Sequence, residues 1–339
     1  MKVLVTGASG FVGSHTVKAL LEAGHDIRGL VRSAARLERA LEPLGCADSV
    51  EVVGGDMLDP TAVEKALDDC EAVVHAAAVL SYDARRKGEM LSSNVQGAEL
   101  VLSKACERGL DPVVHVSSVV ALLPSQGTLA PASPVGTPRP AYALSKAASD
   151  GVARRLQAEG APVTIVYPGT VWGPDDPNFG EAATFAMDVL KHRVPFGVPG
   201  LMSIVDVRDL AAVHAAVLQP GHGGRRYLAA SGCMPVTEAM QVIAEAGGRR
   251  PPRGTMPASA LLAIGRLADN LQRISPRRLP VHYEGPWSMV NMKPADTSAT
   301  VRDLGIEFRP ARETLVDAVR WVLNSTDYPP LSRIITSST

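Results

Sequence analysis

The sequence of 339 residues is poor in aromatic side chains, since Phe, Trp and Tyr together make up only 4% of it. It also lacks an excess of either charge, with 34 Lys and Arg against 35 Asp and Glu and a formal net charge of −1. Proteins that follow a nucleic-acid backbone usually carry a basic stripe, and those that stack bases need aromatic platforms. The composition therefore argues against nucleic acid as a partner.

Cysteine is scarce as well. The four cysteines, Cys46, Cys70, Cys106 and Cys233, stand far apart and form no CxxC or Cys/His cluster with metal-ligand spacing. We therefore expect free thiols in a reducing cytoplasm and no bound metal.

Long apolar runs are missing too. No stretch approaches the ~18 apolar residues of a membrane-spanning helix, and the chain enters a strand at once, without the pattern of a signal peptide. The longest candidate, residues 258–271, is interrupted by Arg266 and Asp269 and predicts an amphipathic helix. We expect that helix to face the core or line a pocket, with contact to a membrane surface as the alternative.

What the sequence does contain is a regular alternation of strand-like and helix-like segments. Helices are predicted over 14–23, from Pro60, over 94–108 and over 142–159, and strands between and around them at 3–5, 26–31, 50–53, 72–75, 113–116 and 163–167. Strands that alternate with helices indicate an α/β fold with a Rossmann-type, doubly wound parallel sheet. The pattern loosens after Pro168, which predicts a smaller, mostly helical C-terminal substrate lobe.

The same pattern suggests domain boundaries. We expect a dinucleotide-binding domain over residues 1–170, with 204–230 returning to it as a strand, a helix and a further strand at 226–229. The substrate-binding lobe is then formed by 171–203 and 231–339, and it ends in a polar tail from Thr326.

A glycine-rich turn follows the first predicted strand. In Thr6-Gly7-Ala8-Ser9-Gly10-Phe11-Val12-Gly13 the three glycines are spaced three apart. The first allows a tight turn, the second lets the backbone approach a pyrophosphate, and the third lets the helix pack close to the strand. The helix N-terminus then offers free N–H groups to phosphate, so this turn predicts dinucleotide binding.

Arginines near the end of the second strand indicate which dinucleotide the protein binds. Arg32 lies 25 residues after Gly7, where NAD-binding proteins tend to place Asp or Glu for the ribose hydroxyl. An arginine suits a 2′-phosphate instead, and Arg36 lies one helical turn on, with Arg28 as a weaker helper. We predict NADP(H) over NAD(H), the alternative being ordinary surface arginines. Asp56 is expected at the adenine amino group with Met57 beside the ring, unless Asp56 merely caps a helix.

Tyr142 and Lys146 lie four residues apart on a predicted helix and therefore share a face. A lysine cation nearby favours the phenolate, and we expect it to lower the tyrosine pKa toward neutrality. Ser117 and Ser118 end the strand at 113–116, at the sheet edge where ligands bind. Ser118 can donate to a carbonyl oxygen; the alternative is that the two serines only cap or turn the chain.

These motifs resemble, in order and spacing, those of the extended short-chain dehydrogenases/reductases, the superfamily of NAD-dependent epimerases and dehydratases. The resemblance is carried by Asn94 and by the segments TGASGFVG, GDM at 55–57, HAAA at 75–78, SS at 117–118, YALSK, YPGTVWGP at 167–174 and VDVRDLA at 205–211. The arginine after the second strand and the PGTVWGP turn look most like the branch of dihydroflavonol reductase, cinnamoyl-CoA reductase and 3β-hydroxysteroid dehydrogenase.

The resemblance implies roles for individual residues. Ser118 and Tyr142 would orient and protonate a carbonyl, Lys146 would hold the nicotinamide ribose, and Asn94 would support the lysine through water. The implied cofactor contacts, besides Tyr142, Lys146 and the residues already placed at the adenosine end, are Gly7, Ser9, Gly10, Phe11, Val12, Gly13, His75, Ala76, Ala77, Tyr167, Pro168, Thr170 and Val171. A homodimer is common in this family and stays open here.

Two departures from the sugar-modifying members bear on the substrate. The residues after the serines, 119–122, are wholly apolar where those enzymes carry a VYG-type sequence, and Tyr167 stands where they usually have arginine. We therefore predict an NADP(H)-dependent oxidoreductase that reduces a carbonyl, or oxidises the alcohol, of a small apolar or aromatic molecule. The alternatives are a nucleotide-sugar epimerase or dehydratase with tightly bound NAD, and a non-enzymatic dinucleotide sensor.

Overall fold

A seven-stranded parallel sheet forms the centre of the protein in a computed structural model that describes residues 1–80, 86–272 and 282–325. The strand order is β3-β2-β1-β4-β5-β6-β9, and a separate three-stranded sheet has the order β10-β8-β7. The strands, numbered along the chain, are β1 (Lys2–Thr6), β2 (Asp26–Val31), β3 (Val50–Gly54), β4 (Ala72–His75), β5 (Val113–Val116), β6 (Val163–Pro168), β7 (Thr170–Trp172), β8 (Leu201–Asp206), β9 (Arg226–Ala229) and β10 (Gly232–Pro235).

Twelve helices are present within the described residues, also numbered along the chain. They are α1 (Phe11–Glu22), α2 (Ala34–Leu41), α3 (Pro60–Leu67), α4 (Lys87–Glu107), α5 (Ala141–Ala158), α6 (Glu181–Leu190), α7 (Val207–Ala216), α8 (Val236–Ala246), α9 (Ala258–Gln272), α10 (Glu284–Asn291), α11 (Ser298–Leu304) and α12 (Ala311–Asn324).

Helices cover both faces of the main sheet. Side chains of α3, α4 and α5 pack on one face around Leu4, Val73 and Ile165, and those of α1, α2 and α7 pack on the other around Val5 and Val114. Because both faces are covered, the central strands are apolar on both sides. The strand order reverses between β1 and β4, and the carboxyl ends of these strands are where a doubly wound sheet binds ligands.

The predicted fold class is confirmed, but one helix begins earlier than predicted and one strand belongs to a different sheet. Helix α4 begins at Lys87, seven residues before Asn94, so Asn94 lies within the helix and does not open it. The strand expected from residue 204 belongs to the small sheet, where β8 pairs with β7 and β10. Only β9 of that region joins the main sheet, parallel to β6.

The C-terminal lobe has its own core. Helices α6, α8 and α12 pack with the small sheet around Trp172, Ile204 and Leu315. Helix α9 is less buried than expected: Leu261 and Leu262 are half-buried, whereas Ile264, Leu267 and Leu271 are exposed. The predicted polar tail from Thr326 lies outside the described residues.

Within the described ranges, no helix has both the length and the apolar character needed to cross a membrane. The same residues bring together no group of three His, Cys, Asp or Glu side chains able to hold a metal ion. The four cysteines are free thiols.

Candidate active site

The glycine-rich turn forms a cradle at the carboxyl end of β1. Gly7 has a φ of +75°, and a Cβ there would lie 2.7 Å from the Ala77 amide nitrogen. A Cβ on Gly13 would collide with the Gly7 carbonyl, so helix and turn can only approach this closely without side chains. Gly10 precedes α1 and has no side chain to cap it. The first-turn amides of Phe11, Val12 and Gly13 have no partner inside the helix and can receive a pyrophosphate.

Two arginines line a cleft beside this cradle. Arg36 and Arg39 of α2 line a space of about 200 Å³ together with Ser9, Pro177 and Asn178. Arg32 is 72% exposed, with its Nη1 atom 3.8 Å from Oδ2 of Asp56. These guanidinium groups make this side of the cradle cationic.

Arg28 does not contribute to this cleft. It is buried, and its Nε donates to Oε1 of Glu51 on β3 at 2.9 Å. Its side chain therefore links β2 to β3. From the sequence, Arg28 is already a weaker candidate than Arg36 as a helper of Arg32.

Asp56 and Met57 follow β3 at the adenine end of the predicted site. Oδ1 of Asp56 accepts from the Leu58 amide at 3.0 Å, while the cap of α3 is Asp59, which accepts from the Thr61 amide at 2.9 Å. The Met57 side chain packs on α4, where a Cβ on Gly97 would lie 2.7 Å from its sulfur. Asp56 therefore keeps a carboxylate oxygen near the cleft edge.

At the end of β4 the residues of the HAAA motif separate into interior and surface. The His75 ring is buried, and its Nδ1 lies 2.8 Å from the Thr6 hydroxyl. Burial lowers the pKa of His75 to about 3, so the ring is neutral. Ala76 and Ala77 are half-buried and pack against Gly7, which places their backbone, and not the His75 ring, beside the cradle.

The end of β6 shows a similar division. Tyr167 is fully buried, and its hydroxyl accepts from Nη2 of Arg154 at 2.9 Å. Strand alternation turns this ring into the core under α5, which makes it unsuited to touch a cofactor. Pro168 is buried too, whereas Val171 is half-buried and Thr170 exposed on β7.

Tyr142 and Lys146 lie on the first two turns of α5, as the sequence indicated. Nζ of Lys146 donates to the Val116 carbonyl at the end of β5, at 3.0 Å. Only 7% of Lys146 is exposed, and burial lowers its pKa to about 8. The lysine is thus fixed between α5 and the end of β5, the strand that precedes Ser118.

Ser118 can fill both roles considered from the sequence, as a cap of the following turn and as a donor to a carbonyl oxygen. Its Oγ accepts from the Val120 amide at 3.3 Å and caps the short turn at 119–122. A hydroxyl that accepts through a lone pair keeps its hydrogen, and Ser118 is half-buried, so it can still donate into the cleft. Ser117 is buried and points to the α5 side near Asp150.

The pKa of Tyr142 does not follow the expectation. Burial raises the pKa of Tyr142 above its ordinary value, and the carboxylate of Glu284 raises it further. The predicted lowering by Lys146 is not seen, because the ammonium is directed at the Val116 carbonyl and burial dominates. The phenol is therefore held in its protonated form.

Asn94 is held by direct hydrogen bonds to the chain. Its Oδ1 accepts from the Val79 amide at 2.7 Å, and its Nδ2 donates to the Val79 carbonyl at 2.9 Å and to Oγ of Ser145 at 3.1 Å. Asn94 thereby joins the segment after β4 to Ser145 of α5, the residue that precedes Lys146.

Two residues of the site were missed from sequence. Arg39 lies three residues after Arg36 on α2, a spacing that places both on one face and should have identified it. Glu284 contacts the start of α5 across 142 residues, and no local pattern in the sequence points to that contact.

Comparisons with known proteins agree with this geometry. The sequence model that defines the NAD dependent epimerase/dehydratase family matches residues 3–230 of this chain. Sterol demethylase protein B of Methylococcus capsulatus is 32% identical over 330 residues, which cover 95% of this chain and 98% of that protein. Cinnamoyl-CoA reductase 2 of Arabidopsis thaliana is 25% identical, with 94% and 91% covered.

Among solved structures, that of gox2253 has a TM-score of 0.76 at 27% identity and covers 94% of this chain and 97% of its own. The resemblance read from the motifs, including its reductase branch, is confirmed. The chain belongs to the NAD dependent epimerase/dehydratase family and is an NAD(P)-dependent oxidoreductase of the extended short-chain dehydrogenase/reductase type.

Proposed function

We propose that this enzyme uses NADP(H) to reduce the carbonyl group of a small apolar or aromatic molecule, or to oxidise the corresponding alcohol. The observation that carries the proposal is the placement of Tyr142 and Lys146 on α5, with Lys146 bound to the end of β5 where Ser118 follows. The proton donor, the lysine and the carbonyl-orienting serine then lie around one sheet edge.

In reduction, bound NADPH supplies the hydride that adds to the carbonyl carbon. Ser118 donates a hydrogen bond to the carbonyl oxygen and orients it. Tyr142 transfers its phenolic proton to that oxygen, so the product is a neutral alcohol. Lys146, whose ammonium is bound to the Val116 carbonyl, would hold the nicotinamide ribose, and a proton from solvent restores the phenol. Acid–base assistance of this kind typically contributes about 10²–10⁴ in rate.

The cofactor would be held by residues that have been located in the cradle and its edge. The amides of Phe11, Val12 and Gly13 would receive the pyrophosphate, with Ser9 beside them. Arg32, Arg36 and Arg39 supply the cationic edge that supports a 2′-phosphate. Thr170 and Val171 are proposed near the nicotinamide, whereas the buried rings of His75 and Tyr167 are left out of the contact set.

The substrate class is supported by the surroundings of Ser118. Val119, Ala121 and Leu122 are buried and Val120 is half-buried, so the turn after the serine offers no polar side chain to a sugar diphosphate. The names of the two relatives contain a sterol and a cinnamoyl group, one apolar and one aromatic, which also supports this class.

Cofactor selectivity tests the arginine assignment. In a spectrophotometric assay with apolar and aromatic aldehydes and ketones, we expect oxidation of NADPH in preference to NADH. Arg36→Ala and Arg39→Ala should each raise KM for NADPH by about 10-fold or more, because a charged hydrogen bond contributes about 1.5–3 kcal/mol. Their KM for NADH should stay near that of the parent.

Arg320→Ala is the matched control, since Arg320 is an exposed arginine on α12. An unchanged NADPH preference in both α2 variants would contradict the NADP(H) assignment. Resident NAD with no net consumption of added cofactor would favour the sugar epimerase. Cofactor binding without turnover of any carbonyl would favour a sensor.

A further inference from the structure

The N-terminus of α5, the helix that carries Tyr142 and Lys146, is capped from a distant part of the chain. The residue before the helix is Pro140, which provides no side-chain hydrogen bond to it. Glu284, the first residue of α10, provides two: Oε2 accepts from the Tyr142 amide at 3.2 Å and Oε1 from the Ala143 amide at 3.0 Å. One carboxylate therefore satisfies two of the amides that a helix start leaves unpaired.

Burial makes this contact energetically important. Glu284 is only 8% exposed, and a buried carboxylate is costly unless it is hydrogen-bonded. Burial raises the pKa of Glu284 above its ordinary value, whereas the hydrogen bonds from the two amides lower it again, and the positive end of the helix dipole also favours the ionised form. A negative charge at this buried position acts more strongly on neighbouring groups than a charge at the surface, because little water screens it.

Other charged groups around Glu284 come from the start of α4 and from α9. Nζ of Lys87 pairs with Oδ2 of Asp269 at 2.8 Å, and Oδ1 of Asp269 accepts from the Tyr283 amide at 3.3 Å. Lys87 favours the ionised form of Glu284 and Asp269 opposes it. These contacts join α4, α9 and α10 at the point where the C-terminal lobe meets the first turn of α5.

We propose that Glu284 is a positioning residue for the reaction, which fixes the Tyr142 turn of α5 to the C-terminal lobe and imposes its negative charge on the tyrosine. The inference rests on the proposed role of Tyr142 as acid and base. It assigns to the lobe a second task besides covering the substrate, because a lobe residue orients the group that transfers the proton.

The charge has a consequence for pH dependence. Glu284 raises the pKa of Tyr142 in addition to the effect of burial. Alcohol oxidation needs the phenolate as base, so its rate rises as pH increases through the Tyr142 pKa. Removing the negative charge should move that rise to lower pH.

Three variants separate orientation from charge. Glu284→Gln removes the charge and nearly keeps the shape, whereas Glu284→Asp keeps the charge and is too short to reach both amides. Glu313→Gln on the exposed face of α12 is the control for loss of one carboxylate. For each purified protein, the alcohol-oxidation rate is measured against pH, with NADPH affinity and melting temperature alongside.

We expect Glu284→Gln to move the rising limb of the oxidation profile down by about half a pH unit, which corresponds to a rate about threefold higher at a fixed pH on that limb, with NADPH affinity within twofold of the parent. Glu284→Asp should lower kcat about tenfold without moving the rising limb. An unchanged kcat and an unmoved rising limb in both variants would overturn the proposal, as would the same changes in Glu313→Gln.

Hydrogen exchange at the amides of Tyr142 and Ala143 gives a readout that needs no turnover. Glu284→Gln should speed their exchange even if the carbonyl chemistry has been wrongly assigned. Faster exchange with a fully active Tyr142→Phe enzyme would therefore refute the proposed function alone. Unaltered exchange in both Glu284 variants would refute the positioning role itself.

Discussion

Lys146 is a buried cation surrounded by groups that do little to neutralise it. The rings of His75 and His115 are stacked with centroids 5.7 Å apart, and burial lowers the pKa of both, so neither carries charge at neutral pH. Asp150, one turn further along α5, favours the lysine cation but is itself paired with Arg154 at 2.7 Å. Such a lysine costs stability, and its position beside Tyr142 supplies the reason to retain it.

This cost predicts that Lys146→Met is stabilised. The pKa of Lys146 is about 8 in the folded protein, below the ordinary 10.5. The unfolded chain therefore binds more protons between pH 8 and 10.5, and the parent gains stability relative to the variant as pH rises through that window. At pH 7 the variant should be more stable by up to about 3 kcal/mol, and the difference should shrink above pH 8.

Denaturant titrations of both proteins at pH 7 and pH 9.5 measure this difference, and the variant should lack turnover throughout. A variant that is less stable than the parent at pH 7 would show that the bond from Lys146 to the Val116 carbonyl outweighs the cost of burial.

At the scale of elements, the cradle depends on how closely the start of α1 approaches the β1 turn and the end of β4. This close approach is possible because Gly7 in the turn and Gly13 in the helix have no Cβ atom. A phosphate can then approach the backbone amides directly. The same glycines that create the site therefore also control the packing of strand against helix.

A pair of glycine substitutions tests this account. Gly13→Ala places a Cβ against the Gly7 carbonyl, and we expect loss of more than about 2 kcal/mol of stability together with loss of NADPH binding. Gly151→Ala, within α5, meets nothing within 4 Å and should gain up to about 1 kcal/mol from helix propensity.

Thermal melts with and without NADPH distinguish the two variants. Equal melting temperatures for them would show that the close approach at Gly13 is not required.

At the scale of the whole molecule, local pattern predicted more of the Rossmann sheet than of the lobe. Most strands of 1–168 are short, largely apolar runs between turn signals, and the TGASGFVG turn contains its own helix start. By contrast, α4 starts before Asn94 without a strong capping signal, and the pairing of β8 with β7 and β10 is long-range. Arg39 could be predicted from helical spacing, but the Glu284 contact with α5 exists only after the lobe has folded onto the sheet.

The molecule as a whole brings the glycine cradle, Ser118 and Tyr142 to one sheet edge, and in the proposed mechanism Tyr142 is the group on which the chemistry depends. The most direct measurement is the rate of carbonyl-dependent NADPH oxidation by Tyr142→Phe, with NADPH binding followed in parallel. We predict that kcat falls by about 10²–10⁴ while NADPH affinity and melting temperature stay close to those of the parent. Turnover within a few-fold of the parent enzyme would contradict the account.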